Sequence, residues 1–172
     1  IWRALQCVRT NKPVIVSMGD YAASGGYYIS TAANYIVANP STITGSIGVF
    51  SVIPNLDSLS KKIGVSLETV KTNGNSDFGT SIIAPLSDGR KQKMQGHTER
   101  VYDIFLQRCA DGRGLSIDSV KSLAEGRVWS GQSAYELGLV DRLGTLDDAI
   151  QLASEKAGLS DYTLDFYPKK KD

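Results

Sequence analysis

Ser24 is the residue whose type and surroundings are best suited to chemistry. It follows an apolar, β-rich run at residues 14–16 and precedes Gly25, Gly26 and a helical pattern over residues 27–33. A helix that begins at about Gly25 leaves its first backbone N–H groups unpaired, and these donors favour negative charge beside the serine. A serine placed there could attack a carbonyl carbon while the N–H of Gly25 receives the oxyanion.

A simpler role for Ser24 is that of a helix N-cap, which is the commonest function of serine at the start of a helix. The local pattern by itself favours this second role. The segment also differs from the G-x-S-x-G nucleophile elbow, because Ala22 stands two positions before the serine. The residues around Ser24 therefore leave both interpretations open.

Composition limits the classes of function. The chain has 172 residues, of which 41% are hydrophobic and 22% charged, as is usual for one globular domain. A net charge of +1 indicates no nucleic-acid partner, and we interpret the lysines at residues 169–171 as a solvated tail. No apolar run approaches the ~20 residues of a membrane helix. Because the chain opens on Ile1 within a helical pattern, we expect it to be part of a larger protein.

Alternating strand and helix patterns predict an α/β layered fold. The predicted helices cover residues 1–9, 25–33, 55–63, 87–110, 116–125, 131–137 and 145–156, and the predicted strands cover residues 14–16, 35–38, 41–50, 65–71, 127–129 and 162–167. Residues 72–85 are predicted to form a loop. In the longest helix one apolar face is predicted, formed by Met94, His97, Val101, Ile104, Phe105 and Cys109.

The remaining candidates for chemistry have simpler explanations. His97 is the single histidine, and we interpret it as a core or interface residue, which disfavours a Ser-His-Asp enzyme. Two cysteines cannot build a disulfide framework, and no Cys/His cluster has metal-ligand spacing, so we expect neither a metal nor another cofactor. We expect Tyr27, Tyr28 and Trp129 to pack in the core. Some of the side chains of Ile47, Val49 and Phe50 are expected to face a substrate cleft.

Two long segments resemble a known family. The segment AASGGYYISTAANYIVANPSTITGSIGVF at residues 22–50 resembles the nucleophile region of the signal peptide peptidase A (protease IV) family, and GRVWSGQSAYELGLVDRLGTLDDAI at residues 126–150 matches its downstream segment. The resemblance implies a single domain over residues 1–172 with a Clp protease/crotonase-like fold, in which helices flank a mainly parallel sheet. It also implies a serine endopeptidase with a Ser–Lys dyad.

The resemblance implies a cellular setting as well. Members of the family are membrane-attached homo-oligomers that degrade remnant signal peptides at the outer face of the bacterial cytoplasmic membrane. Carried over by position, Ser24 matches the nucleophile, Gly25 matches an oxyanion donor, and Ser46 matches the serine that hydrogen-bonds the catalytic lysine. A local alternative for Ser46 is a hydrogen bond to the backbone of its own glycine-flanked bend.

The catalytic lysine is the main departure from the family pattern. Short members carry it in the loop ahead of the long helix, where the matching position here falls on Ser76, and Lys71 comes too early. Double-length members place the lysine in the N-terminal half and the serine in the C-terminal half. We therefore predict that the chain is such a C-terminal half, that the N-terminal half or a neighbouring protomer supplies the lysine, and that the chain alone is almost inactive.

Two other functions stay open. A crotonase-type acyl-thioester enzyme would share the oxyanion site and would need no serine nucleophile. A non-catalytic assembly domain would also explain the missing lysine.

Overall fold

The structure is a computed structural model that describes residues 1–66, 68, 70–73, 76 and 86–169. In chain order its elements are α1 (Trp2–Arg9), β1 (Ile15–Met18), β2 (Tyr21–Ala23), α2 (Gly25–Ser30), β3 (Tyr35–Ala38), β4 (Ile43–Gly45), α3 (Asp57–Lys62), α4 (Asp88–Arg113), α5 (Ile117–Leu123), β5 (Val128–Ser130), α6 (Gly131–Glu136), β6 (Arg142–Leu143) and α7 (Leu146–Ala157). The chain divides into two compact units. Unit 1 combines Ile1–Gly48 with Ile104–Asp172, and unit 2 is Val49–Asp103. The single-domain assignment stays a prediction.

Unit 1 contains two three-stranded sheets. Sheet A has the strand order β1-β3-β6, and both of its pairings are parallel. Sheet B has the order β2-β4-β5, in which β2 and β4 are parallel and β4 and β5 antiparallel. Because parallel pairings predominate and helices alternate with strands along the chain, the predicted α/β class is confirmed.

Strand β3 and helix α2 supply much of the core of unit 1. Ile36 and Val37 are fully buried, and α7 packs its buried apolar side chains against Val37. Tyr27 is also fully buried, and its hydroxyl donates to the Leu139 carbonyl at 2.9 Å. This bond removes the ~1–3 kcal/mol cost of an unsatisfied buried hydroxyl. The core position predicted for Tyr27 is therefore confirmed.

A partly buried ion pair fixes the end of α4. The Arg113 side chain is 6% exposed, and its Nη1 and Nη2 atoms donate to the Asp141 carboxylate at 2.9 and 2.6 Å. The same guanidinium donates through Nε to the Gly138 carbonyl at 3.1 Å. Asp141 also accepts from the Ile36 backbone N–H at 2.7 Å. The pair thus joins α4 to β3 and to the loop before β6 through charge-assisted hydrogen bonds.

Helices α1, α2 and α4 meet closely at Thr31. The indole N–H of Trp2 donates to the Thr31 hydroxyl at 3.1 Å, and the Arg108 guanidinium lies 3.6 Å from the centre of the Trp2 ring. Gly112 lies so close to the Thr31 carbonyl that a Cβ at this position would clash with it. Helix packing therefore requires glycine at position 112. Tyr28 is half-buried and packs edge-to-face on Phe105, with ring centres 5.1 Å apart.

Unit 2 contains α3 and the first turns of α4. The Asn55 side chain accepts from the Asp57 backbone N–H at 3.0 Å, near the predicted helix start, and Lys61 pairs with Asp57 at 2.8 Å. Phe50 and Val52 are 85% and 80% exposed. No helix in the described part of the chain is long and apolar enough to cross a membrane.

The observed strands differ from the predicted ones in several places. Strands β2 and β6 were not predicted, because three and two residues are too few for a periodic pattern. Residues 162–167 form no strand and are exposed, so the predicted last strand is absent. Residues 65, 66, 68, 70 and 71 also form no strand, while residues 67 and 69 lie outside the described residues. The predicted 72–85 loop falls mostly outside them as well.

The predicted apolar face of α4 is only partly correct. The buried side chains of the helix are Phe105, Leu106, Cys109 and Ala110. His97 is exposed, which contradicts a core position, while the interface alternative stays a prediction. Val101 and Ile104 are 36% and 39% exposed. These four residues all lie in the last turns of the helix, within unit 1. The residues of its earlier turns are exposed or half-buried, so the helical period of the sequence extends beyond the part of the helix whose side chains are buried.

Candidate active site

The structure brings Ser24 and Ser46 to equivalent positions on neighbouring strands. The last pair of the parallel β2–β4 ladder is Ala23 opposite Gly45, so each serine is the residue that follows. The Ser24 backbone N–H donates to the Gly45 carbonyl at 2.9 Å and thereby extends the ladder. The carboxyl ends of parallel strands form the edge at which α/β proteins usually bind ligands. The two serines singled out by the family resemblance therefore share this edge.

Ser24 has a strained backbone. Its φ and ψ are 52° and −116°, a combination that non-glycine residues rarely adopt and that costs about 1–3 kcal/mol. Two hydrogen bonds hold it in place, the one to Gly45 and one from the Tyr28 N–H to the Ser24 carbonyl at 2.8 Å. Strain of this kind persists only where the surrounding structure imposes it, and such residues are concentrated at functional sites.

Ser24 occupies the N-cap position of α2, but the capping role predicted for its side chain is wrong. Ser24 precedes α2, but its side chain makes no capping hydrogen bond, and the residue is exposed. The physical reason is its backbone conformation, because a capping residue normally has extended φ and ψ. Ser116 and Ser130 show the normal geometry, with φ of −69° and −68°, and each accepts a backbone N–H in its first helical turn. The Ser24 hydroxyl has no hydrogen-bond partner within the described residues.

The space in front of the Ser24 turn is open. Gly25 is exposed, and a Cβ at this position would meet no atom of the described residues within 4 Å. As the first residue of α2, Gly25 has no intrahelical acceptor for its N–H. A carbonyl oxygen that approached the Ser24 hydroxyl would therefore find a free backbone donor on the adjacent residue.

Ser46 is held in a second strained turn. Gly45 and Ser46 have φ of 75° and 50°. The Ser46 N–H donates to the Arg127 carbonyl at 2.7 Å, and the Gly126 N–H donates to the Ile47 carbonyl at 3.0 Å. The segment after α5 thus fixes the backbone on both sides of Ser46.

The Ser46 side chain is available for a further hydrogen bond. Ser46 is half-buried, and its hydroxyl has no hydrogen-bond partner within the described residues. The alternative in which this hydroxyl bonds its own bend is therefore wrong. The backbone of this turn, with its positive φ at Ser46, is held by hydrogen bonds between N–H and C=O groups. The Ser46 hydroxyl therefore takes no part in holding the turn.

Trp129 forms the support under the Gly45–Ser46 turn. A Cβ on Gly45 would lie 2.7 Å from the Cδ1 atom of Trp129, and the indole N–H donates to the Leu123 carbonyl at 3.1 Å. Trp129 packs against this turn, but it is half-buried, so the core position predicted for it is wrong. Ile47 is fully buried, so it is not among the side chains of residues 47, 49 and 50 that were expected to face a cleft. The cleft role of Phe50, which belongs to unit 2, stays a prediction.

The buried thiol in unit 1 is not a competing nucleophile. Burial raises the pKa of Cys109 to about 12, and the nearby Arg113 guanidinium opposes this effect only in part. Since the thiolate is the reactive form, Cys109 is inert near neutral pH. Cys7 is exposed on α1.

The lysine position predicted from the family pattern holds an ordinary turn serine. The Ser76 hydroxyl donates to the Asn73 carbonyl at 3.1 Å within unit 2. In unit 1, the Lys156 ammonium lies 4.7 Å from the centre of the Tyr35 ring. Tyr35 begins β3 in sheet A, whereas Ser24 follows β2 in sheet B. The described residues thus place no lysine ammonium in a hydrogen bond with Ser24 or Ser46.

The sequence profile of peptidase family S49 matches residues 6–160. The chain belongs to this family. It is 47% identical over 156 residues to Protease 4 of Salmonella typhi, covering 91% of this chain and 25% of the relative. It is 38% identical over 159 residues to the chloroplastic serine protease SPPA of Arabidopsis thaliana, covering 92% of this chain and 24% of the relative. The predicted family is confirmed, and the chain spans about a quarter of the length of these relatives.

Solved structures of enoyl-CoA hydratases resemble the chain more distantly. An enoyl-CoA hydratase/isomerase family protein from Hyphomonas neptunium matches with a TM-score of 0.46 at 20% identity, over 91% of this chain and 41% of that protein. An enoyl-CoA hydratase from Thermoplasma volcanium matches with a TM-score of 0.46 at 17% identity, over 90% and 44%. Scores this low carry no argument about chemistry, and the α/β class follows from the strand pairings of the chain itself.

Proposed function

We propose that the chain carries the nucleophile of a serine endopeptidase with a Ser–Lys dyad. In this proposal Ser24 attacks the peptide carbonyl, the N–H of Gly25 binds the oxyanion, and Ser46 orients the amine of the lysine. The observation that carries the proposal is the exposed, uncapped hydroxyl of Ser24 on a strained strand-to-helix turn. Membership of peptidase family S49 supports the same class of reaction.

The proposed reaction is acyl transfer in two steps. The Ser24 oxygen bonds to the carbonyl carbon while its proton passes to a neutral lysine amine. The oxyanion then collapses, the C–N bond breaks, and the lysine returns the proton to the departing amine. Water hydrolyses the resulting ester by the same proton route and releases the second peptide.

The lysine must be neutral to act as the base. A solvated lysine has a pKa of about 10.4 and is almost fully protonated at neutral pH. Burial beside Ser24 would lower that pKa, because desolvation penalises the ammonium form. An uncommitted Ser46 hydroxyl near Ser24 could then accept from the amine and hold its lone pair toward the nucleophile. We propose that the N-terminal half of the protein or a neighbouring protomer delivers this lysine.

The substrates and setting form part of the same proposal. We assign remnant signal peptides and other short apolar peptides as substrates, a homo-oligomer as the active assembly, and the outer face of the bacterial cytoplasmic membrane as the location. The support is the similarity to the signal peptide peptidase A family over most of the chain.

Substitution of Ser24 tests the proposal. In the full-length protein, Ser24→Ala should reduce hydrolysis of an apolar peptide to background, because it removes the oxygen that forms the proposed ester. Ser41→Ala is the matched control, since Ser41 is an exposed loop serine of unit 1 whose hydroxyl, among the described residues, bonds only Asn39. This control should keep the original rate. Hydrolysis retained by Ser24→Ala would remove Ser24 from the mechanism.

A non-catalytic assembly domain is the second candidate, favoured by the serine at position 76. It predicts that the full-length protein hydrolyses no peptide and that no serine-reactive reagent labels Ser24. A crotonase-type enzyme predicts turnover of an acyl thioester that survives Ser24→Ala.

Our proposal also predicts that the 172-residue chain alone is almost inactive and gains activity when the upstream half is added.

A further inference from the structure

A basic pocket opens in unit 1 at the amino edge of sheet A. It has a volume of about 320 Å³ and lies between the end of α1, the starts of β1 and β3, and the end of α7. Its charged lining residues are Arg9, Lys12 and Lys156, and no carboxylate lines it. The carboxamides of Asn11 and Asn34 and the ring of Tyr35 complete the polar part of the wall. We call this site the basic pocket.

Two of the cations are held in place by the fold. The Arg9 Nη1 atom donates to the Ala32 and Ala33 carbonyls at 3.3 and 3.4 Å. These carbonyls follow the end of α2, so the guanidinium is tied to a fixed part of the backbone. The Lys156 ammonium lies 4.7 Å from the centre of the Tyr35 ring, within the range of a cation–π contact. Binding of a ligand here would therefore cost the protein less side-chain entropy than binding at freely moving side chains.

The positive charge of the basic pocket is not compensated. Within the described part of the chain, none of Arg9, Lys12 and Lys156 pairs with a carboxylate. Asn34 uses its side-chain oxygen to accept from the Val14 N–H at 2.9 Å, and its amide N–H donors have no partner in those residues. Like charges that converge repel one another, so an anion that enters the pocket would relieve this repulsion.

The basic pocket is separate from the proposed peptidase site. Lys12 precedes β1, and Tyr35 is the first residue of β3, so both lie at the amino ends of the parallel strands of sheet A. Ser24 lies beyond the carboxyl end of β2, in sheet B. Anion binding at the pocket can therefore be measured independently of peptide hydrolysis.

We propose that the basic pocket binds a phosphate-bearing anion. Several cations suit a group with more than one negative charge, and a guanidinium presents its donors in a plane that matches phosphate oxygens. The volume leaves room for a substituent on the phosphorus. The phosphate could belong to a small soluble compound or to a phospholipid headgroup, and the two sources share the same contacts.

Calorimetric titration of the full-length protein with inorganic pyrophosphate at low ionic strength tests the soluble source. We expect Lys12→Gln and Lys156→Gln each to weaken binding about tenfold, which corresponds to the loss of one charge-assisted hydrogen bond. Lys121→Gln is the matched control, because it removes the same charge from an exposed lysine on α5 of unit 1. It should change the affinity less than twofold. Rising NaCl should weaken binding by screening the cations.

Sedimentation with lipid vesicles tests the second source. One preparation contains phosphatidylcholine alone, and the other adds phosphatidylglycerol. If the headgroup is the ligand, Lys12→Gln and Lys156→Gln should reduce binding to the phosphatidylglycerol vesicles while Lys121→Gln does not. Thermal unfolding of each variant verifies that it is folded. The proposal is overturned if neither probe binds, or if Lys121→Gln reduces binding as much as the pocket variants do.

Discussion

Replacing the strained serine by glycine should separate stability from activity. At a φ of 52° and ψ of −116°, Ser24 stores about 1–3 kcal/mol that glycine does not. Glycine also makes the unfolded chain more flexible, which costs about 0.4–1 kcal/mol relative to alanine. The difference leaves Ser24→Gly more stable than Ser24→Ala by about 1 kcal/mol. For a chain of this size that is an increase in Tm of about 2–4 °C. Both variants should lack peptidase activity.

Thermal unfolding of the two variants measures this difference. A glycine and alanine pair at Ser41 is the control, because Ser41 has no positive φ. There the order should reverse, with alanine the more stable substitution. Equal stability of Ser24→Gly and Ser24→Ala, or greater stability of the alanine variant, would refute the claim that the fold imposes strain on Ser24.

Three further predictions concern the scaffold that positions the site. Arg113→Gln should lower the free energy of unfolding by about 2 kcal/mol in chemical denaturation, because it removes the charge-assisted hydrogen bonds that the guanidinium donates to the partly exposed Asp141 carboxylate. Gly112→Ala should destabilise the protein through a clash with the end of α2, whereas Gly96→Ala in the open part of the same helix should stabilise it by up to about 1 kcal/mol, as unfolding of the two variants would show. The pKa of Asp148 is lowered, first by the backbone N–H of the α7 N-cap and then by its hydroxyl. Its contribution is therefore present above the unfolded-state pKa and lost as the pH falls through the lower folded-state value. Acid unfolding of Asp148→Asn should lack this part of the pH dependence, and an unchanged profile would contradict the assignment.

Local signals predicted the helix boundaries well. Ser116 and Ser130 are N-caps at the predicted starts of their helices, and Thr145 forms a capping box with Asp148. Each signal works because the cap satisfies N–H groups within its own first turn. Gly158 likewise ends α7 in the left-handed conformation.

The candidate site required information that no local pattern contains. The same capping rule assigned Ser24 the wrong role, because pairing with the neighbouring strand sets its backbone conformation. The position of Ser46 beside Ser24 depends on the β2–β4 register, and β2 is too short to give a periodic signal. The resemblance to a family singled out both serines, because similarity over a long segment carries information about the fold that a short local pattern does not contain.

Covalent labelling with a fluorophosphonate tests the central claim most directly. Mass spectrometry of the digested full-length protein should find the adduct on the peptide that contains Ser24. The 172-residue chain alone should label far more slowly, since the lysine that accepts the proton is proposed to come from the N-terminal half or a neighbouring protomer. An adduct on a different serine, or no adduct on a full-length protein that hydrolyses peptides, would contradict the assignment of Ser24 as the nucleophile.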